Sequence, residues 1–160
     1  ITALLGTVLF VVQVALAALP NIELVSLLLL LYGKCFPTRV SLGAVYLFAL
    51  LEGLIYGFGI WWLMYLYVWP IVVLAALPFR RGEGRALWAA IAGLHGLCFG
   101  VLCAIPYFFI GGWQMAFSWW VSGIPYDVIH CGSNAVLVFV HFPPLRRALE
   151  RAKKTSGGRE

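Results

Sequence analysis

The sequence predicts an all-α integral membrane protein: six transmembrane helices in a bundle, with an aromatic cap segment on the outer side before the sixth. Three observations carry this. The 160 residues are 63% hydrophobic and only 11% charged, and the mean hydropathy is +0.97, beyond what a soluble domain of this size reaches. The apolar runs have lengths near the roughly 20 residues a spanning helix needs, and Pro, Gly or basic residues separate them. All 11 Lys and Arg fall in three segments: Lys34 with Arg39; Arg80, Arg81 and Arg85; and Arg146 onward. Cations confined to alternate loops are a topology signal, so the net charge of +5 marks the cytoplasmic side of a membrane rather than a nucleic-acid footprint.

In chain order, the first run covers residues 3–19 and ends at Pro20-Asn21. Ala15-Leu16-Ala17 resembles a signal-peptidase site, but the run is long enough to span and is read as a helix. The second run, 22–36, is short for the hydrocarbon thickness, which predicts a broken helix or one whose ends are covered by protein. A basic loop, Lys34 to Arg39 with Pro37, follows. The third span covers 40–56 and ends at Gly57-Phe58-Gly59; the fourth covers 60–79, carries Pro70, and stops at Arg80-Arg81-Gly82-Glu83-Gly84-Arg85. The fifth, 86–110, has Pro106 near its end and stops at Gly111-Gly112. Residues 113–124 are aromatic and amphipathic, an interfacial or capping segment. Pro125 suits the first turn of the sixth helix, which runs to about 142, before Pro143-Pro144. Residues 1–145 are then one transmembrane domain and 146–160 a basic cytoplasmic tail, with disorder expected over 153–160. Six spans with all basic segments on one side put both termini in the cytoplasm.

On this topology the outer half collects the polar groups. Counted at 100° per residue, Asp127, His130 and Asn134 share one face of the sixth helix. Such groups in a membrane helix are costly unless they meet partners, water or a ligand. Asn21, Glu23 and Glu52 lie at the same level, with Tyr56, Trp61, Trp62, Tyr65, Tyr107, Trp113, Trp120 and further aromatics. An aromatic belt explains each ring singly; rings gathered with acids and amides describe a pocket for a flat, partly polar ligand. Glu52 either snorkels to the interface or faces the pocket. Asp127 with His130 is either a hydrogen-bonded pair serving as structural glue or a ligand contact; two ligands from one helix make no metal site. His95 and His141 read as packing or interfacial. With three outer acids and no outer Lys or Arg, a carboxylate-bearing ligand would lack a partner. The residues favour a neutral or cationic aromatic heterocycle, or a large corrinoid.

The four Cys have no C-x-x-C spacing and sit in apolar runs, and read as buried free thiols acting as small hydrophobes. No G-x-x-x-x-G-K-[ST] loop, G-x-S-x-G elbow or H-E-x-x-H helix is present, so energy for any uphill transport must come from a partner or an ion. Small residues recur at four-residue spacing in Ala3/Thr7, Gly53/Gly57 and Gly96/Gly100, a pattern that lets helices approach closely in lipid.

Leu19-Pro20-Asn21-Ile22-Glu23-Leu24, Glu52-Gly53-Leu54-Ile55-Tyr56-Gly57 with Trp61-Trp62, the Ala104 to Trp113 stretch, and Gly123-Ile124-Pro125-Tyr126-Asp127 continuing to His130 and Asn134 together resemble the substrate-binding S-components of energy-coupling factor (ECF) vitamin transporters. The resemblance covers nearly the whole chain. It implies a bacterial cytoplasmic-membrane bundle that is not an enzyme and needs no cofactor, and that binds a vitamin near the outer surface. It further implies association with a transmembrane coupling subunit and two cytoplasmic ATPases. The family's docking motif on the first helix has Ala3 and Thr7 as its nearest match, with Thr7 in place of the more usual Ala. Two other readings stand beside it: an intramembrane enzyme using Glu52, Asp127 and His130 as acid and base, and an assembly subunit that binds no ligand.

Overall fold

The computed structural model describes the backbone of residues 1–157 and the side chains of residues 1–152; within them every regular element is helical. Five α-helices and a 3₁₀ turn follow one another: α1 (Thr2–Leu16), α2 (Val25–Cys35), α3 (Thr38–Tyr56), α4 (Ile60–Ala76), the 3₁₀ turn Leu77–Phe79, and α5 (Arg85–Gly157). Three stretches are long and apolar enough to cross a membrane, Thr38–Tyr56, Ile60–Phe79 and Arg85–Ala152, while Thr2–Leu16 and Val25–Cys35 are shorter apolar helices.

The expected fifth and sixth spans fall within the single element α5, as two helical arms divided by non-helical backbone at Gly111 and Gly112. α5 doubles back at Gly111 (φ −136°, ψ 18°) and Gly112 (φ 71°, ψ −167°), and the second of these is a conformation that only glycine adopts cheaply. The two arms, residues 85–110 and 113–157, lie antiparallel. Trp88 stacks on Phe142 with ring centroids 4.7 Å apart, and a Cβ on Gly96 would stand 2.7 Å from the His130 carbonyl carbon.

No separate cap segment exists. Residues 113–124 are the opening turns of the second arm, and Pro125 sits inside the helix instead of starting it. Where water is scarce, each backbone group left out of a helix is costly. A proline that removes one hydrogen bond therefore perturbs the helix without ending it. Pro143 and Pro144 are likewise inside, and the helix continues to Gly157. The expected disorder thus fails for 153–157, which opens with the helix-favouring Lys153 and Lys154; residues 158–160 lie outside the described residues.

α2 is the axis of the core. Eight of its 11 residues are buried, from Val25 to Gly33, which explains how so short a helix is stable: its ends are protein-covered. Around it pack Leu5 and Leu9 of α1, Phe48 of α3, Trp69 and Val72 of α4, and Trp88 and Phe142 of α5. α1 runs parallel to α3 through the notch at Gly6, where a Cβ would meet the Ala44 carbonyl oxygen at 2.9 Å. Ala3 and Thr7 are exposed, on the other side of α1.

The basic segments converge at one end. Lys34 Nζ donates to the carbonyl oxygens of Arg80 (2.6 Å) and Gly82 (2.8 Å) and reaches Glu83 (3.4 Å). The Arg80 guanidinium donates to Gly33 O (2.7 Å), Phe36 O (3.0 Å) and Thr38 Oγ1 (3.0 Å), and Arg146 pairs with Glu83. The end of α2, the start of α3, the loop after the 3₁₀ turn and the second arm of α5 are thereby tied into one knot.

Candidate functional site: a three-lobed cavity around Tyr65

α2 is only 11 residues long, so it leaves the far half of the bundle without a central helix. The chain crosses that gap as the α1–α2 loop, residues 17–24, in which Asn21 takes a left-handed conformation (φ 56°). Three side chains of the second arm of α5 fix this loop and the start of α2. His130 Nε2 is 3.3 Å from Glu23 Oε1, Ser133 Oγ donates to Asn21 O (2.7 Å), and Asn134 Nδ2 donates to Ser26 Oγ (3.2 Å). The other Glu23 oxygen accepts the Ser26 N–H (2.8 Å), satisfying one of the first-turn donors of α2.

The polar face of the second arm therefore turns inward: Asp127, His130 and Asn134 are 5%, 2% and 1% exposed. The partners differ from the expected Asp127–His130 pair. His130 meets Glu23, and Asp127 Oδ1 accepts the Gly100 N–H across the hairpin (2.9 Å). That contact needs the glycine, since a Cβ at position 100 would run into the Asp127 carboxylate. The spacing of Gly96 and Gly100 thus serves approach within α5.

Between this face and α1, α3 and α4 lie three cavities that meet at Tyr65. The first, about 250 Å³, has Gln13, Ala17, Glu52, Tyr56, Trp61 and Tyr65 in its walls. The second, about 230 Å³, is lined by Gln13, Ala17, the loop from Leu19 to Glu23, Tyr65, Trp69, Phe99 and His130. The third, about 390 Å³, is bounded by Asn21, Trp61, Tyr65, Phe99, Gly100, Cys103, Trp119, Tyr126 and Asp127 among others. Gln13 and Ala17 border the first two lobes, Asn21 and Phe99 the second and third, Trp61 the first and third. The aromatic wall is a ladder at i, i+4 spacing: Trp61 on Tyr65 (5.2 Å, 85°), then Tyr65 on Trp69 (5.5 Å, 84°). Phe48 stacks behind Tyr65 at 5.8 Å. Edge-to-face pairs of this kind hold each ring in one orientation, which suits a stacking surface.

No Lys or Arg lines any of the three lobes. Among the described residues, Glu52 Oε1, Asp127 Oδ2 and His130 Nδ1 are buried without a hydrogen-bond partner. No group of three His, Cys, Asp or Glu among the described residues is arranged to hold a metal ion.

Of the residues singled out from sequence, Asn21, Glu23, Glu52, Tyr56, Trp61, Tyr65, Asp127 and His130 line the lobes. Five do not. Trp62 donates its Nε1 to Ala49 O (2.8 Å) and so braces α4 on α3. Tyr107 stacks on Trp119 at 4.1 Å, joining the arms of α5. Trp113 and Trp120 border a separate apolar groove beside the α5 turn with Phe108, Phe109 and Phe117. Asn134 is spent on Ser26. His95 is buried, with Nε2 3.2 Å from Val68 O, whereas His141 is exposed. Among the thiols Cys103 is buried and Cys98 exposed, so burial does not hold for all four.

Sequence reasoning passed over Gln13 and Ser26. Gln13 is the one amide in the apolar run of α1. A lone amide within a membrane helix is the signal that would have found it. Ser26, in the first turn of α2, carried no such mark. No family model matches the chain, nor does any curated protein or solved structure.

Proposed function

We propose that this chain is the substrate-binding membrane subunit of an uptake system of the ECF type. In that reading it holds a vitamin-like aromatic solute in the three-lobed cavity around Tyr65. A transmembrane coupling subunit docks on it, and two cytoplasmic ATPases supply the energy. The observation that carries this reading is the cavity itself: a stacking wall of Trp61, Tyr65 and Trp69 faces Asp127, His130 and Glu23, at the end of the bundle away from the basic knot. Concave, largely apolar sites with a few convergent polar groups are the usual form of small-molecule sites. The exposed Ala3 and Thr7 leave one side of α1 open to a partner helix, in keeping with cytoplasmic termini and a bacterial cytoplasmic membrane.

The reading is tested by co-expressing the tagged chain with an ECF coupling subunit and its ATPases and purifying in mild detergent. Retention of the three partners by wild type, and their loss with Ala3→Trp while the bundle stays monodisperse, is the expected result. Failure of wild type to retain them contradicts it.

A further inference from the structure

Building on the proposed binding function, we infer that the ligand is two-ended: a flat aromatic compound with a cationic or multiply donating nitrogen group at each of two separated positions. Such a ligand would address Glu52 with one group and Asp127 with the other. Four observations lead there. Both carboxylates are at least nine-tenths buried, Glu52 4% and Asp127 5% exposed. Each keeps one oxygen without a partner among the described residues, a costly state for a buried acceptor. They line different lobes, and the two lobes share Trp61 and Tyr65, so an aromatic body lying on that shared wall would have a carboxylate towards each end. The third carboxylate is already used: Glu23 takes the Ser26 N–H and lies against His130, so it does not ask for a further donor.

The same arrangement rejects anionic ligands. With no Lys or Arg in the walls, a ligand carboxylate would face two carboxyl groups and find no cation to pair with. A corrinoid is disfavoured as well, because its bulk exceeds lobes of about 250 and 390 Å³ and it has no need of two separated acids.

The test uses the full chain in detergent and three probes of one ring size: benzamidine with one cationic end, benzene-1,4-dicarboxamidine with two, and terephthalate with two anionic ends. Binding is followed by quenching of tryptophan fluorescence in wild type, Glu52→Gln and Asp127→Asn. The expected result is that the dicarboxamidine binds at least tenfold more tightly than benzamidine. Each substitution removes that advantage, and terephthalate gives no saturable quenching. A dicarboxamidine no tighter than benzamidine overturns the inference on wild type alone, whatever the variants do. So does terephthalate binding as tightly as the dication, or the loss of the advantage in one variant only, which would mean a one-ended ligand. Retention of the coupling partners is scored on a separate preparation. A chain that assembles with them yet prefers terephthalate would refute the two-ended cation and leave the transport reading standing.

Discussion

The two ends of this bundle treat their polar groups in opposite ways. At the basic end, Lys34 and Arg80 satisfy five backbone carbonyl or side-chain acceptors between them at 2.6 to 3.0 Å, and Trp88 adds an Nε1 donation to Gly82 O at 3.2 Å. At the far end, Glu52, Asp127 and His130 each retain an unpartnered buried atom and border open volume. A closed knot gives stability; a set of unmet acceptors beside aromatic walls gives a place for something else to bind. Buried polar atoms without partners are rare in a stable fold, and three of them, on Glu52, Asp127 and His130, border the lobes at this end, which is the reason to read it as the functional one.

That contrast can be broken in graded ways. The largest effect is expected from Gly96→Leu. The new side chain has nowhere to go but the backbone at His130 and Cys131, so the α5 hairpin should open at a cost of about 3 kcal/mol or more, read as loss of the monodisperse peak in detergent. His130→Ala comes next. It strips Glu23 of a buried partner, a change of the order of 3 kcal/mol, and should both lower the melting temperature and weaken ligand binding. Lys34→Met should destabilise by about 2 kcal/mol through the carbonyls it leaves unmet, yet leave ligand affinity unchanged, because the knot is at the other end. A shift in affinity with Lys34→Met would show that the two ends are coupled.

The smallest effect concerns the exposed Glu83. The hydrogen bond from Arg146, aided by Lys34, holds its carboxyl below the usual carboxylate range. A carboxyl lowered in this way stabilises the folded form above its ordinary titration range and loses that contribution as the pH falls through the lowered value. The melting temperature of wild type should therefore decline slightly more than that of Glu83→Gln on acidification through and below pH ~4. Equal decline in both would remove this pair from the account of the basic end.

Much of this was legible in the sequence, for physical reasons that also mark where legibility ended. Hydropathy and the grouping of Lys and Arg located the apolar helices, and helical periodicity put Asp127, His130 and Asn134 on one face that is indeed turned inward. Periodicity is silent on partners: it suggested Asp127 with His130, while the tertiary fold brought Glu23, 107 residues away in sequence, to the histidine. Proline and aromatic content made residues 113–124 look like a cap, because rules drawn from water overstate how readily Pro125 ends a helix in apolar surroundings. For the same reason Trp113 and Trp120 appeared to belong with the site, although they stand beside another groove. Trp62, by contrast, gave no sequence sign that its Nε1 was committed to Ala49.

The most direct test of a ligand cavity around Tyr65 is native mass spectrometry of the protein taken from membranes in mild detergent, comparing wild type with Ala17→Trp. Ala17 borders two of the three lobes and is exposed, so a tryptophan there fills space without touching the core around α2. The account predicts a stoichiometric non-lipid adduct on wild type that is absent from an equally stable Ala17→Trp protein. An adduct that survives the substitution, or a wild-type chain that carries lipid alone, would contradict it.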